Sequence, residues 1–85
     1  MNIQLQDTSH GPVYLQIRQQ IEAQIKTAQL ASGMSLPTPT VLANRLTVDR
    51  GEVQRAYFEL EQYALVRKTM GKDFLGKEKV SYVVS

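Results

Sequence analysis

Apolar residues recur every three or four positions over the first third of the chain. Pro12 is suited to the first turn of a helix, and the periodicity after it predicts an amphipathic helix ending near Gln29. The apolar stripe consists of Val13, Tyr14, Ile17, Ile21, Ile25 and Ala28. The intervening polar residues would face water, and Gly33 marks the loop that follows.

Capping residues predict where two further helices begin. Thr38 followed by Pro39 is typical of an N-cap and a first helical position, so a short helix is expected over about 39–46. Asp49 and Glu52 have the spacing of a capping box and predict the start of a third helix. The buried stripe of this helix is expected to be Val53, Ala56, Tyr57 and Leu60.

The remaining segments favour extended structure. Residues 2–7 alternate polar and apolar and predict either a brief strand or an extended arm, with a turn at 8–11. Residues 34–36 suit a short strand, and residues 66–85 suit a hairpin because β-branched and aromatic residues surround two glycines. Within the hairpin, Val80–Val84 is either the returning strand or an extra strand.

The order of these elements predicts a mainly α fold with a small β-hairpin, a winged helix-turn-helix. We expect one domain over residues 1–85: an N-terminal arm or strand (1–11), a three-helix core (12–65), and a wing with a C-terminal strand (66–85). A chain of 85 residues is near the lower limit for an unaided core.

Composition excludes several classes of function. The chain has no Cys and a single His, so it lacks a disulfide framework, a thiolate metal site and a His–carboxylate arrangement for catalysis. We therefore expect no enzymatic activity and no cofactor. No apolar run approaches the roughly 20 residues that span a bilayer, and the N-terminus lacks the features of a secretory signal. The simplest expectation is a cytoplasmic protein without a membrane partner.

The charge distribution suits a nucleic-acid partner. The net charge is +2 and the sequence pI is about 9.1. The wing region 67–79 holds five basic and two acidic residues. Arg50, Gly51, Gln54 and Arg55 fall on the outer side of the third helix, and Arg and Gln pair bidentately with guanine and adenine in the major groove.

Each of these features also has a simpler explanation. An outer helix face with Arg is often only solvated, and the third helix also carries Glu52, Glu59 and Glu61. Lys-rich hairpins commonly protect an edge strand. A second hypothesis is therefore a winged helix that contacts a protein partner and binds DNA weakly or not at all. In that case Tyr82–Val84 would be an exposed strand available for pairing.

Three segments resemble the N-terminal DNA-binding domain of the GntR family of bacterial transcriptional regulators, particularly its YtrA-like branch. They are "NIQL", "GPVYLQIRQQIEAQI" and "LPTPTVLANRLTVDRGEVQRAYFELEQYALV". The matching positions are Pro12, Tyr14, Gln16, Ile17, Leu36, Pro37, Leu42, Ala43, Leu46, Val48, Arg50, Val53, Ala56, Tyr57, Glu59, Leu60 and Leu65. The resemblance covers about residues 2–68. It implies a dimeric repressor or activator that binds a palindromic operator in double-stranded DNA.

The chain also departs from the family pattern. Thr40 stands where the family usually has a DNA-contacting Arg, and Gln54 stands where another Arg is usual, with Arg55 one place later. Two turn glycines of the family are Thr47 and Ala64 here, and a position that needs a positive φ would be strained by about 1 kcal/mol or more. The compact Gly-rich wing of the family is also replaced by a longer segment.

These considerations together assign a DNA-binding site. Arg50, Gln54 and Gly51 are expected to face base edges, with Arg50 the first choice because it matches the family's contact residue directly. The residues expected near phosphates are Thr38, Arg45, Arg55, Lys68 and Lys72. Thr40 also belongs to the predicted site, because it occupies the position of a DNA-contacting Arg in the family.

Family members carry a C-terminal domain that binds an effector and holds the dimer together. The sequence leaves open whether this chain is an excised domain or a short protein that dimerises through other surfaces. The candidate surfaces are the arm with Ile3 and Leu5, the outer face of the first helix, and Val80–Val84.

Overall fold

All three predicted helices form, and a hairpin follows them. The computed structural model describes all 85 residues. Its elements, in chain order, are a 3-10 helix (Thr8–His10), α1 (Val13–Lys26), β1 (Ser35–Leu36), α2 (Pro39–Leu46), α3 (Arg50–Gln62), β2 (Val66–Lys72) and β3 (Glu78–Val84). The predicted winged helix-turn-helix is thus confirmed, with three helices and a three-stranded sheet.

Helix α1 is shorter than its apolar stripe predicted. Pro12 is the N-cap residue just before the first turn rather than a residue within it, and the helix ends at Lys26 instead of near Gln29. Ala28 lies beyond the helix with a φ of 62°, so it does not belong to the stripe. The N–H of Leu30 donates to the carbonyl of Gln24 at 3.0 Å. This bond turns the chain so that Leu30 enters the core.

The predicted capping box of α3 is only half correct. Asp49 is the N-cap, and its carboxylate accepts a hydrogen bond from the N–H of Gly51 at 3.1 Å. Glu52 does not close the box. Its Oε2 accepts from the N–H of Tyr14 at 2.8 Å instead. The first N–H groups of a helix need partners, and Pro12 offers α1 no side-chain cap, so a carboxylate on α3 satisfies the start of α1.

The N-terminal segment is an extended arm and not a strand. Gln4 and Gln20 exchange two hydrogen bonds, N–H to Oε1 at 2.9 Å and Nε2 to carbonyl at 2.8 Å. The N–H of Gln6 donates to Oε1 of Gln16 at 2.8 Å. Side-chain amides of α1 thus take the place of a partner strand. Ile3 and Leu5 are partly buried against the core, so this candidate pairing surface is largely covered by the chain itself.

Strand β3 lies in the middle of the sheet, whose order is β1-β3-β2 with antiparallel pairing throughout. It is the returning strand of the hairpin and also the neighbour of β1, so both sequence-based alternatives describe the same strand. Val83 faces Ser35 on one side and Arg67 on the other, and Tyr82 is likewise paired on both sides. The expectation of an exposed pairing strand over Tyr82–Val84 is therefore wrong.

One cluster of apolar side chains joins the helices to the sheet. Its fully buried members include Ile17 and Ile21 of α1, and Val84 of β3 is only 1% exposed. The whole cluster is Ile17, Ile21, Leu30, Leu36, Leu42, Ala43, Val53, Ala56, Tyr57, Leu60, Val66 and Val84. The predicted stripe of α3 lies entirely within it. Val48 packs against the cluster from the turn between α2 and α3, as predicted.

Two residues with a left-handed backbone conformation flank α3, one before it and one after it. Thr47 ends α2 with a φ of 56°, and Ala64 follows α3 with a φ of 59°. These are the two positions where the family pattern has glycine. The predicted strain is therefore present, because a Cβ disfavours this region by about 1–2 kcal/mol.

Replacing Ala64 by Gly should raise the free energy of unfolding. The substitution removes strain of about 1–2 kcal/mol and adds about 0.5–1 kcal/mol of backbone entropy to the unfolded chain, so a gain of several tenths to 1 kcal/mol is expected. Urea unfolding followed by circular dichroism measures it. Ala23→Gly, within α1, is the matched control and should lower stability by about 0.5–1 kcal/mol. Equal losses in both variants would contradict the assignment of strain to Ala64.

Candidate nucleic-acid interface

A concave surface forms where the start of α2, the outer face of α3 and the hairpin meet. The cavity has a volume of about 230 Å³. Its lining residues are Thr38, Pro39, Thr40, Arg50, Gln54, Lys68, Val80 and Tyr82. Five of the nine residues predicted to bind DNA therefore share one surface, although they come from three separate elements. The lining contains two cations and no carboxylate, which favours an anionic ligand.

The start of α2 forms one wall of this cavity. Thr38 is the N-cap, and its hydroxyl accepts a hydrogen bond from the N–H of Val41 at 3.2 Å. Pro39 occupies the first turn, as predicted, and Thr40 is exposed beside it. The N-terminus of a helix carries partial positive charge and N–H groups without intrahelical partners. This wall carries no formal charge, but it offers hydroxyl and backbone N–H groups to an anion.

Arg50 and Gln54 lie one turn apart on α3 and form a pair. With the Gln54 amide oriented so that its oxygen faces Arg50, it accepts from Nη2 at 3.0 Å and from Nε at 3.2 Å. A guanidinium has five N–H donors, so three remain for a ligand. The contact restricts the Arg50 side chain before any ligand binds.

Tyr57 fixes the position of the cavity walls from within the core. Its ring is fully buried, its hydroxyl donates to the carbonyl of Pro37 at 2.7 Å, and Pro37 directly precedes the cap of α2. The ring also meets the ring of Tyr82 edge-on, with centroids 4.9 Å apart. Burial raises the pKa of the Tyr57 hydroxyl well above its usual range. One side chain on α3 thus holds both the α2 wall and the β3 wall.

The other four predicted residues lie outside the cavity. Arg55 stacks over the ring of Tyr14, with its guanidinium carbon 3.8 Å from the ring centroid, and its Nε lies 3.8 Å from a carboxylate oxygen of Glu59. The other three are exposed at element ends: Arg45 in the last turn of α2, Gly51 in the first turn of α3 and Lys72 at the end of β2.

Two of the three acidic side chains of α3 are occupied inside the domain. Glu52 caps α1 through Tyr14, as described above. Glu59 lies 3.0 Å from Nε of Arg18 on α1. The Nε–H of Arg18 does not point at this carboxylate, so the contact is an ion pair without a directed hydrogen bond. These carboxylates are therefore directed toward α1, and neither lines the cavity.

Sequence reasoning missed the roles of three residues, two that line the cavity and one that pairs with Glu59. Arg18 is one of the polar residues between the apolar positions of α1 that were expected to face water, but its side chain is only 14% exposed. Its spacing from Glu22 is that of a helical ion pair. Val80 and Tyr82 line the cavity because alternate residues of a strand share a face. The position of the hairpin turn fixes which residues of β3 share a face, and that signal identifies both residues.

No helix in the structure is long and apolar enough to cross a membrane.

Replacing Tyr57 by Phe should destabilise the domain by about 1–3 kcal/mol at neutral pH, because the partly buried carbonyl of Pro37 loses its donor. The effect should depend on pH. The pKa of Tyr57 is raised in the folded state, so its stabilising contribution is complete below about pH 10 and is lost as the pH rises further, by up to about 1.4 kcal/mol per pH unit. The difference in unfolding free energy between wild type and variant should therefore shrink from pH 9 to pH 11.

Urea unfolding at each pH measures this difference. Tyr63→Phe removes the hydroxyl of an exposed tyrosine and should change the stability at neutral pH by less than about 0.5 kcal/mol. A constant difference between wild type and Tyr57→Phe over the alkaline range would contradict the assigned role of the hydroxyl.

Comparison with known proteins gives consistent results. The sequence model of a family described as bacterial regulatory proteins, gntR family, matches residues 13–74. The chain is 32% identical over 75 residues to the uncharacterized HTH-type transcriptional regulator YhcF of Bacillus subtilis, covering 88% of this chain and 62% of YhcF. It is 31% identical over 74 residues to MngR of Escherichia coli, a mannosyl-D-glycerate transport/metabolism system repressor, covering 86% of this chain and 31% of MngR.

The chain thus spans less than two thirds of each of these relatives. Among solved structures, YtrA from Sulfolobus acidocaldarius, a GntR-family transcription factor, superposes with a TM-score of 0.74 at 30% sequence identity. The match covers 98% of this chain and 77% of YtrA. These relatives are regulators of transcription and not enzymes, and the family match covers most of the winged helix. The chain belongs to the GntR family of transcriptional regulators.

Proposed function

We propose that this domain binds double-stranded DNA in a sequence-specific manner, with the start of α3 in the major groove and the hairpin against the neighbouring backbone. The observation that carries the proposal is the cavity that gathers Arg50, Gln54 and Lys68 with two threonines and no carboxylate. A major groove about 12 Å wide admits a helix, and α3 presents its first two turns on the exposed side.

Arg50 is the principal reader of bases in this proposal. Its guanidinium can donate two parallel hydrogen bonds to the O6 and N7 atoms of guanine. Gln54 contacts the adjacent base or holds Arg50 in the reading geometry through their mutual hydrogen bonds. Gly51 has no side chain, and a Cβ there would meet only a carboxylate oxygen of Asp49 at 3.7 Å. The backbone can therefore approach the DNA closely at this position.

Phosphate contacts surround this reading surface. Thr38 and Thr40 present a helix N-terminus, where anions are favoured, and Lys68 lines the same cavity from the hairpin. Arg45, in the last turn of α2, and Lys72, at the end of β2, add positive charge outside the cavity. Arg55 keeps its stack on Tyr14 and offers the remaining N–H groups to a phosphate, since its side chain is 61% exposed.

The internal contacts of the acidic residues support DNA binding over the protein-contact hypothesis. That hypothesis rests on the absence of two Arg contacts usual in the family, on an acid-rich α3 and on the unusual C-terminal tail, and the structure bears on the last two. Glu52 and Glu59 are engaged with α1, and β3 has neighbours on both edges at Tyr82 and Val83.

We further propose that two copies bind a palindromic operator and repress transcription. The name of MngR identifies that relative as a repressor, and a two-fold arrangement would place one α3 in each half-site. Of the candidate pairing surfaces, the outer face of α1 is favoured, because the arm and β3 make contacts within the chain.

The affinity for a duplex should fall steeply with salt. Four neutralised phosphates predict a loss of roughly a hundredfold between about 50 and 200 mM salt. Fluorescence anisotropy with a labelled random-sequence duplex measures this loss. If a protein that is folded by circular dichroism shows no binding at the lower salt, the DNA-binding proposal fails and the protein-contact hypothesis replaces it.

Arg50→Ala and Lys72→Ala should weaken binding in different ways on a duplex selected from a random library. The Arg50 variant should lose about 1–3 kcal/mol and become tolerant of substitution at one base pair. The Lys72 variant should lose affinity equally on selected and random duplexes, with a salt slope reduced by about one. If both variants act alike on the two duplexes, the assignment of base and phosphate contacts is wrong.

A double-mutant cycle separates the two roles available to Gln54. If Gln54 orients Arg50, the losses of Arg50→Ala and Gln54→Ala on the selected duplex should be non-additive by at least about 0.5 kcal/mol. Additive losses would instead indicate that each residue contacts its own base. Arg50→Ala combined with Arg55→Ala is the matched control pair.

A further inference from the structure

The outer half of the hairpin projects from the domain as a two-stranded ribbon. Strand β1 pairs with β3 only at Tyr82 and Val83, so the pairs from Thr69↔Ser81 to Lys72↔Glu78 have no third strand beside them. The ribbon ends in the turn of residues 73–77. Lys68 at the base of the ribbon lines the cavity, so the ribbon begins at the proposed DNA-binding surface and ends at this turn.

Asp73 holds this turn in one shape. Its carboxylate oxygen Oδ1 accepts from the N–H of Leu75 at 2.9 Å and from the N–H of Lys77 at 3.0 Å. Its backbone N–H donates to the carbonyl of Lys77 at 2.9 Å, and its carbonyl accepts from the N–H of Gly76 at 2.9 Å. Gly76 adopts a φ of 79°, which suits glycine. The turn is therefore preorganised, unlike a loose loop.

This rigid turn presents two adjacent apolar side chains to solvent. Phe74 is 95% exposed and Leu75 is 66% exposed, the two highest values among the large apolar residues of the chain. Full burial of such a side chain is worth about 1.5–3 kcal/mol, and neither residue belongs to the core cluster or packs against it. Around them, residues 72–79 carry Lys72, Lys77 and Lys79 together with Asp73 and Glu78, a net charge of +1. The tip thus combines two exposed apolar side chains with a small basic surplus.

We propose that Phe74 and Leu75 form a wedge that enters the minor groove of the bound duplex and partly unstacks one base step. This inference rests on the proposed DNA binding and adds a bending function to it. Apolar side chains that insert in this way kink the duplex toward the major groove. The flanking lysines would neutralise phosphates on either side of the narrow groove. Pyrimidine–purine steps unstack most easily, so the wedge selects such a step without any hydrogen bond to a base.

The size and charge of the tip favour DNA over other partners. A stable protein interface buries about 1,200–2,000 Å², far more than two side chains on one turn provide. Nor is an amphipathic helix present here that could lie on a lipid surface. Apolar side chains of this kind are known wedges in the minor groove, and the lysines of the tip outnumber its carboxylates by one. The hairpin tip and the cavity then contact the same DNA duplex.

The test uses a duplex of about 30 base pairs selected from a random library, long enough to report a bend. Donor and acceptor dyes at its ends report bending, and 2-aminopurine at each pyrimidine–purine step in turn reports unstacking. The wedge variant is Phe74→Ala with Leu75→Ala. Met70→Ala is the matched control, because Met70 is an apolar side chain 65% exposed on the same ribbon but away from the tip. Phe74→Leu keeps an apolar wedge.

At saturating protein, wild type should bend the duplex and raise 2-aminopurine fluorescence at one step. The wedge variant should lose both signals and about ten- to a hundredfold in affinity, with an unchanged salt slope because no phosphate contact is removed. Met70→Ala and Phe74→Leu should retain both signals. Unchanged melting temperatures would show that the fold is intact.

Two results would overturn the wedge while leaving the proposed function standing. One is a wild-type complex that binds tightly with no bend, and the other is a wedge variant that bends and unstacks the duplex like wild type. If sedimentation without DNA shows that the wedge variant loses self-association while bending persists, the tip contacts a second copy and the wedge is also overturned. If no duplex is recovered by selection with wild type, the DNA-binding proposal itself fails.

Discussion

The arrangement of the proposed DNA-binding surface depends on the buried contacts of Tyr57. Its hydroxyl is bonded to the carbonyl before the cap of α2, and its ring packs against Tyr82 of the central strand. The relative position of α2, α3 and the hairpin is therefore set in the core, behind the cavity proposed to meet DNA. A tyrosine suits this position because its apolar ring belongs to the core while its polar end satisfies a backbone group.

A second constraint sets the charge of that surface. The chain carries only a small positive surplus, +2, so the distribution of charge matters more than its amount. Glu52 bonds to the start of α1 and Glu59 pairs with Arg18. Both contacts also tie α3 to α1 and so serve packing and electrostatics together. They leave Arg50 and Lys68 in a cavity without a carboxylate.

Local signals in the sequence were sufficient for the helices and for the order of elements. Thr38, Pro39 and Asp49 act within a few residues of themselves, and the structure has them capping or starting helices as predicted. The failures involve distant partners. Glu52 bonds to a residue 38 positions away, so its spacing from Asp49 suggested the wrong contact. For the site, the residue pattern already indicated the hairpin and placed Arg50 on the outer face of α3, and the family resemblance ranked Arg50 first, whereas Val80 and Tyr82 required the register of the hairpin.

The order β1-β3-β2 has a consequence for how the domain is completed during synthesis. The central strand is the last one in the sequence, and its residue Val84 exchanges two hydrogen bonds of 2.8 Å with the segment before β1. Neither ladder can therefore form until every helix has left the ribosome. Until then the helical part must stay collapsed on its own, because Leu36 and Val66 lack their pairing partners on β3. Pairings between such distant segments form slowly, so this domain is most vulnerable to proteases and aggregation just before β3 emerges.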